Sequence, residues 1–205
     1  MRVQDIMTRP VTTVRPETTV REAATLLAVN GFTALPVVTD EDEVVGILTE
    51  MDVMRNRIQR DPRSQLLREP SPDQPPPATV GDVMSSPALT MPRWADVAEI
   101  VKVMIDRGVR SIPVTDGARL VGIVTRRDVV RTLTRDDATI EADVRHRLEI
   151  YGGFDRWSVR VRQGVVTIGD VFDDPTDEHV ARVLAQAVPG VTHVEIHRPQ
   201  VGQQA

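Results

Sequence analysis

The chain contains its own copy, and no other feature constrains its fold as strongly. Asp5-Ile6-Met7-Thr8-Arg9-Pro10 returns as Asp82-Val83-Met84-Ser85-Ser86-Pro87, and at the same offset Gly31 returns as Gly108 and Pro36-Val37 as Pro113-Val114. After a one-residue deletion, Val45-Gly46-Ile47, Thr49 and Asp52-Val53 return as Val121-Gly122-Ile123, Thr125 and Asp128-Val129. A tandem repeat of this length means one supersecondary plan used twice. The last piece, an apolar run followed by Thr-x-x-Asp, has two readings. It is the pattern of a helix N-terminal capping box, Thr bonding an early helix N–H and the acid reaching back. The same geometry leaves N–H groups for a phosphate and a carboxylate for two ribose hydroxyls. Duplication in a wider matching context favours the second reading over two chance caps.

Each copy reads β-α-β-β-α. Extended pieces at Thr12–Val14 and Leu89–Met91 lead to helices that start at Thr19-Val20-Arg21-Glu22 and Asp96-Val97-Ala98-Glu99, both patterned as capping boxes. Val20, Ala23, Ala24 and Leu27 make one apolar stripe; Val97, Ile100, Val101 and Met104 make the other. Strands are predicted at Leu35–Thr39 and Val44–Leu48, and again at Ile112–Thr115 and Leu120–Val124, each pair joined by an acidic or glycine turn. The copies span 1–58 and 81–135. Between them, 59–80 carries Pro62, Pro70, Pro72 and Pro75-Pro76-Pro77 and reads as a solvated linker. Its arginines (Arg60, Arg63, Arg68) read with Arg55 and Arg57 as a solvated surface rather than a binding patch, since Asp61 and Glu69 interrupt them.

A different unit occupies 138–198. Ile140, Val144, Leu148 and Tyr151 fall at helical spacing before Gly152-Gly153. Trp157–Val161 and Val165–Ile168 form a hairpin around Gln163-Gly164. A helix over Thr176–Val188, with Val180, Val183, Leu184 and Ala187 inward, precedes a last strand over Val191–His197. The order is α-β-β-α-β, one sheet covered by helices on one face, and 199–205 is a tail with nothing to bury. Of the 205 residues 40% are hydrophobic but only 3% aromatic, so both cores rest on aliphatic side chains. There is no cysteine, which excludes disulfides and thiolate metal sites. Together with an opening that does not read as a signal peptide and no apolar run near the ~20 residues of a membrane span, this gives a cytoplasmic expectation. A net charge of −5 argues against nucleic acid as main partner. Lys102 is the only lysine, and the other basic residues are arginine, a composition habit more than a site.

The duplicated half resembles a tandem pair of CBS domains, named for the regulatory module of cystathionine beta-synthase. The match rests on the Met-x-x-x-Pro leader, the Gly-x-x-x-x-Pro-Val segment and the Gly-Ile-x-Thr-x-x-Asp terminus, in that order, twice. The final third resembles a BON domain through Gly164-Val165-Val166-Thr167-Ile168-Gly169 and Pro189-Gly190-Val191-x-x-Val194. The resemblance implies an α/β (α+β) fold with two CBS repeats about a pseudo-twofold axis. It also implies an adenosyl ligand (AMP, ADP, ATP, NAD or S-adenosylmethionine) as regulator rather than a required cofactor. Carried over by residue, Asp52 and Asp128 hold ribose hydroxyls and Thr49 and Thr125 contact phosphate. The base lies against Thr13, Ala34, Leu35 and Pro36 in one cleft, and against Thr90, Ser111, Ile112 and Pro113 in the other. Arg110 supplies charge to phosphates; its counterpart Thr33 cannot, so the clefts differ. The resemblance further implies a homodimer through the CBS helices and a BON unit that docks a protein or a phospholipid surface. Asp170, Asp173, Asp174, Asp177 and Glu178 oppose an anionic bilayer.

No nucleophile with a positioned base is found, so an enzyme is not expected. His193, Glu195 and His197 share a strand face and read as a solvent-facing polar side, not as a metal site. His146 and His179 have no obvious partner, and Trp94 and Trp157 read as packing. The expectation is a non-enzymatic sensor of adenosyl ligands with a BON effector. Its alternative is a structural dimerising adaptor that senses no nucleotide.

Overall fold

The computed structural model describes residues 1–55, 77–170 and 174–197. Most of the expected linker (59–76), Arg57, Asp173 and the tail lie outside the described residues. The chain divides into two compact units, Met7–Ala95 with Lys102–Thr125, and Met1–Ile6 with Asp96–Val101 and Arg126–Ala205.

In the first unit, α1 (Val20–Asn30) begins as its sequence dictates. Thr19 Oγ1 accepts the Glu22 N–H at 3.2 Å, and the Glu22 carboxylate accepts the Thr19 N–H at 3.1 Å. Val20, Ala23 and Leu27 turn inward, Ala24 is half-buried, and Gly31 ends the helix at φ 63°. The chain continues through β1 (Ala34–Val38), β2 (Val44–Thr49) and α2 (Glu50–Met54). All five residues of β1 are buried, which is why its sequence does not alternate. The second repeat contributes β3 (Met91–Pro92), α3 (Val97–Asp106), β4 (Ser111–Asp116) and β5 (Arg119–Thr125). β1 and β2 pair antiparallel, and β3-β4-β5 form a sheet in that order. The expected extended piece at Thr12–Val14 reduces to one parallel bridge, Val14 to Val37, in the place that β3 takes beside β4.

Each repeat is continuous in sequence but not in space. Thr8 exchanges backbone hydrogen bonds with Ile123 on β5 (2.9 and 3.1 Å), while Ser85 does so with Ile47 on β2 (3.0 and 2.9 Å). The Met-x-x-x-Pro leader of each copy therefore belongs to the other copy's sheet. Gly46 and Gly122 permit the exchange: a Cβ on Gly46 would stand 2.6 Å from Met84 Sδ, and one on Gly122 would overlap Met7 Sδ. Gly46→Val is expected to lower stability by about 1–3 kcal/mol through overpacking, read as a lower urea midpoint at unchanged m-value. The expected linker also ends earlier than its composition suggests. Val80 is fully buried beside Val14, Leu35 and Leu48, and its N–H bonds Thr18 O at 2.8 Å.

In the second unit, Val97 N–H bonds Met1 O at 3.1 Å, and Asp96 Oδ1 accepts the Ala98 N–H at 2.7 Å at the start of α3. After α4 (Arg126–Leu133) come α5 (Asp137–Gly152), β6 (Trp157–Arg162), β7 (Val165–Asp170), α6 (Pro175–Gln186) and β8 (His193–His197), the expected α-β-β-α-β order. The sheet order is β6-β7-β8, with β6/β7 antiparallel and β7/β8 parallel. Gln163 and Gly164 take φ 52° and 74° in the hairpin turn. Both turn N–H groups are accepted by the Asp137 carboxylate at the head of α5, at 2.7 and 2.9 Å. Ile140, Val144 and Leu148 pack with Trp157, Val166 and Ile168.

Three expectations fail here. Val183 is half exposed, because α6 turns Ala181 and Ala185 to the core, small residues that let it approach closely. Tyr151 does not continue the α5 stripe inward; the residue is 44% exposed and its hydroxyl reaches Asp177. β8 starts two residues late, since Val191 and Thr192 complete the turn after Pro189-Gly190, with Thr192 N–H bonding Gly164 O.

Candidate functional site

β2 delivers Thr49 in an extended conformation (φ −115°, ψ 164°), and the chain turns at once into α2. Thr49 donates both its N–H and its hydroxyl to Asp52 Oδ2, at 2.9 and 2.7 Å, while its hydroxyl oxygen accepts the Asp52 N–H at 3.3 Å. Asp52 is 8% exposed, so this carboxylate is fixed by the turn and largely shielded from water. The capping-box reading of the motif is therefore correct as geometry. It bears on chemistry too. The Thr49 hydroxyl hydrogen is already committed to Asp52, so Thr49 acts first as the residue that positions the carboxylate.

Cross-strand pairing sets Ala34 opposite Thr49, with Leu35 and Pro36 next along β1. All three are buried, and Leu35 packs in the core with Leu48 and Val80. Pro36 O accepts the Val14 N–H at 3.1 Å, which brings half-buried Thr13 to the neighbourhood of β1. Thr13, Ala34, Leu35, Pro36, Thr49 and Asp52 thus all lie in the first unit. In the same unit, Ser111 stands opposite Thr125 as Ala34 does opposite Thr49. Ser111, Ile112 and Pro113 are buried, Thr90 is half-buried just before β3, and Arg110 is exposed. Asp128 belongs to the second unit as the third residue of α4; it is 6% exposed, with Arg131 Nη1 3.8 Å from its Oδ1.

The second unit also holds a part-buried ion cluster in which only Asp170 is buried outright. Arg156 grips Asp170 with two hydrogen bonds (2.9 and 2.8 Å), also bonds Asp177, and lies 4.3 Å above the Trp157 ring centre. Tyr151 donates its hydroxyl to Asp177 at 2.7 Å. In the sequence Asp170 and Asp177 read as charge opposing an anionic bilayer; the one other signal is an Asp completing the inward alternation of β7. Hydrogen bonds from Arg156, and then from Tyr151, hold the Asp177 carboxyl below the usual carboxylate range, and the bond to Asp177 pushes the Tyr151 hydroxyl up. A depressed carboxyl adds stability above its unfolded value, ~3.9, and loses it as pH falls through the lower folded value. The unit is accordingly expected to lose stability in acid over that window, and Asp177→Asn to flatten the loss. Urea unfolding at stepped pH between about 5 and 2 checks it.

Other candidates stay apart. His193, Glu195 and His197 are exposed on one face of β8, with His197 Nε2 3.8 Å from Glu195 Oε2. Among the described residues no group of three or more His, Asp or Glu side chains converges as a metal site, and no helix is long and apolar enough to cross a membrane. His146 and His179 are exposed; Trp94 is 54% exposed, whereas Trp157 is buried in the second core.

Comparison with known proteins places this geometry. The CBS domain profile matches residues 3–58 and 80–135. An uncharacterized protein of Methanopyrus kandleri is 31% identical over 144 residues, 70% of this chain and 68% of that protein. An inosine-5'-monophosphate dehydrogenase of Thermoplasma acidophilum is 29% identical over 143 residues, 69% of this chain but only 26% of the enzyme. Among solved structures, a CBS domain pair in complex with 5-methylthioadenosine and S-adenosyl-L-methionine superposes with a TM-score of 0.52 at 25% identity. It covers 64% of this chain and 94% of that one. CBSX2 in complex with AMP superposes equally well, with a TM-score of 0.52 at 25% identity over 63% of this chain and 93% of that one.

Proposed function

Because the chain belongs to the CBS domain family, we propose that it is a non-enzymatic sensor that binds an adenosyl ligand at the Thr49–Asp52 turn and passes occupancy to its C-terminal unit. The observation that carries this is the immobilised, shielded Asp52 carboxylate. Thr49 holds Oδ2, which aims Oδ1 as an acceptor for ribose hydroxyls without further ordering. The same turn then needs Thr49 to swing its hydroxyl off Asp52 before it can donate to a phosphate. Proteins of similar fold were solved with AMP, and with 5-methylthioadenosine and S-adenosyl-L-methionine, which supports an adenosyl ligand in general over one nucleotide in particular. Asp128, equally shielded at the start of α4, is assigned the corresponding role in the second repeat.

The C-terminal α-β-β-α-β unit is read as a BON-like interaction module, and the protein as a cytoplasmic homodimer through CBS helices. Exposed Met51 and Met54 on α2 support the dimer, as do exposed Val130 and Leu133 on α4. Titration calorimetry with AMP, ADP, ATP, NAD and S-adenosylmethionine tests the sensor: no heat from any of them at millimolar ligand sinks it. One observation favours the second reading, a structural adaptor: Asp52 is already satisfied by Thr49, as a pure cap requires. Sedimentation with anionic vesicles separates the two, since capture indifferent to nucleotide supports the adaptor.

A further inference from the structure

The C-terminal sheet runs β6-β7-β8, so β6 and β8 each keep one edge that no described strand pairs. An open edge is a row of backbone donors and acceptors ready to take another chain. Here both edges are met by an arginine from the covering helices. Arg145 of α5 donates from Nη2 to Val159 O on β6 at 3.4 Å. Arg182 of α6 donates from Nη1 to Val194 O on β8 at 2.6 Å, the closer of the two contacts. Val194 is buried, so an unbonded carbonyl at that position would be costly.

β8 reads His193-Val194-Glu195-Ile196-His197, nearly the same in either direction. Laid antiparallel on a second copy of itself about Glu195, it sets Val194 opposite the partner's Ile196 and His193 opposite the partner's His197. Val194 and Ile196 stay on the helix-covered face and the exposed His193, Glu195 and His197 on the open one, so neither face is inverted by the pairing. Backbone groups alternate sides along a strand. With the Val194 carbonyl turned to Arg182, the groups of Val194 and Ile196 face the open edge. Each Val194 carbonyl is then the acceptor for the partner's Ile196 N–H, and it is the carbonyl that Arg182 occupies.

We infer that the outer edge of β8 is a latent interaction surface whose partner is a second copy of β8, and that Arg182 keeps it closed. Pairing requires each copy to withdraw its guanidinium from Val194, which gives up a charge-assisted bond on both sides before the ladder can form. Glu195 adds to the restraint, since the twofold sets it directly opposite itself, like charge against like. The surface uses α6 and β8 alone, not α2 or α4, and holds with or without a ligand.

The chain has no cysteine, so Glu195→Cys introduces a single thiol. In this pairing residue 195 meets its copy as a non-hydrogen-bonded pair, with Cα atoms about 4.5 Å apart and within disulfide reach. The substitution also removes the Glu195 repulsion, which leaves Arg182 as the difference between variants. In a glutathione redox buffer, the full chain carrying Glu195→Cys is expected to crosslink little. Arg182→Met with Glu195→Cys is expected to form at least about ten times as much disulfide dimer, the worth of a hydrogen bond to a charged group. Arg162→Met with Glu195→Cys, altered at an exposed arginine of β6, is expected to match the single variant. Should Arg182→Met not fold, as read by Trp157 fluorescence, Arg182→Gln carries the same expectation through its shorter, uncharged side chain. Equal crosslinking with and without Arg182 overturns the closure, as does a rise of the same size in the Arg162 control. Absence of crosslinking from every variant overturns the β8 surface itself.

Discussion

Arg156→Met is expected to destabilise the C-terminal unit by about 2–4 kcal/mol, below the full cost of removing one partner from a wholly buried ion pair because only Asp170 is buried outright. The Arg156 side chain is 14% exposed and that of Asp170 only 4%, so water cannot replace the lost bidentate contact cheaply. Methionine keeps most of the stem that lies over Trp157. The loss therefore reports the charge and its hydrogen bonds more than packing. Asp177→Asn is expected to cost less, because the Asp177 side chain, 22% exposed, has water available. Urea unfolding followed through Trp157 fluorescence, in a Trp94→Phe background that removes the exposed indole, reads the effect from the correct unit. A shift under 1 kcal/mol would mean that the cluster is a surface network of the ordinary weak kind.

Asp52→Ala is expected to weaken one adenosyl binding event by at least about 100-fold, since hydrogen bonds to a charged acceptor contribute about 1.5–3 kcal/mol each. The returning half of the capping box is lost as well, while Thr49 Oγ1 still accepts the residue-52 N–H, so the cost in stability is at most about 1 kcal/mol and the chain stays folded. Thr49→Val separates positioning from contact. If Thr49 serves chiefly to orient Asp52, the variant weakens binding of unphosphorylated adenosine as much as that of AMP. Selective loss of AMP binding would instead place Thr49 on the phosphate. Calorimetry with the two ligands distinguishes these outcomes.

Much of the candidate site's geometry was legible because a helix cap is local. Thr49 and Asp52 are three residues apart, and that spacing alone commits them to reciprocal hydrogen bonds once a strand ends and a helix begins. The same holds for Thr19 and Glu22 at α1, and for the Gln163-Gly164 hairpin. Leu35 was harder to place. The resemblance sets Ala34, Leu35 and Pro36 together against a base, but nothing in an apolar stretch says which side chain joins the core, and the Leu35 side chain does. The Arg156 cluster was illegible for a related reason: Arg156 meets Asp170 through the β6–β7 pairing and Asp177 through the seating of α6, neither of which is a sequence spacing.

The sequence by itself determined the duplicated plan, the order of elements apart from the first strand of repeat 1, and the Thr-x-x-Asp turn, since each rests on periodicity or on contacts within a few residues. Tertiary structure alone decided the exchange of leaders between repeats, with Met84 seated on Gly46 and Met7 on Gly122, and the hydroxyl contact between Thr33 and Ser111. A repeat in sequence fixes that two similar pieces exist. Which piece completes which sheet depends on where buried backbone groups find partners. Thr8 and Ser85 find theirs in the opposite copy.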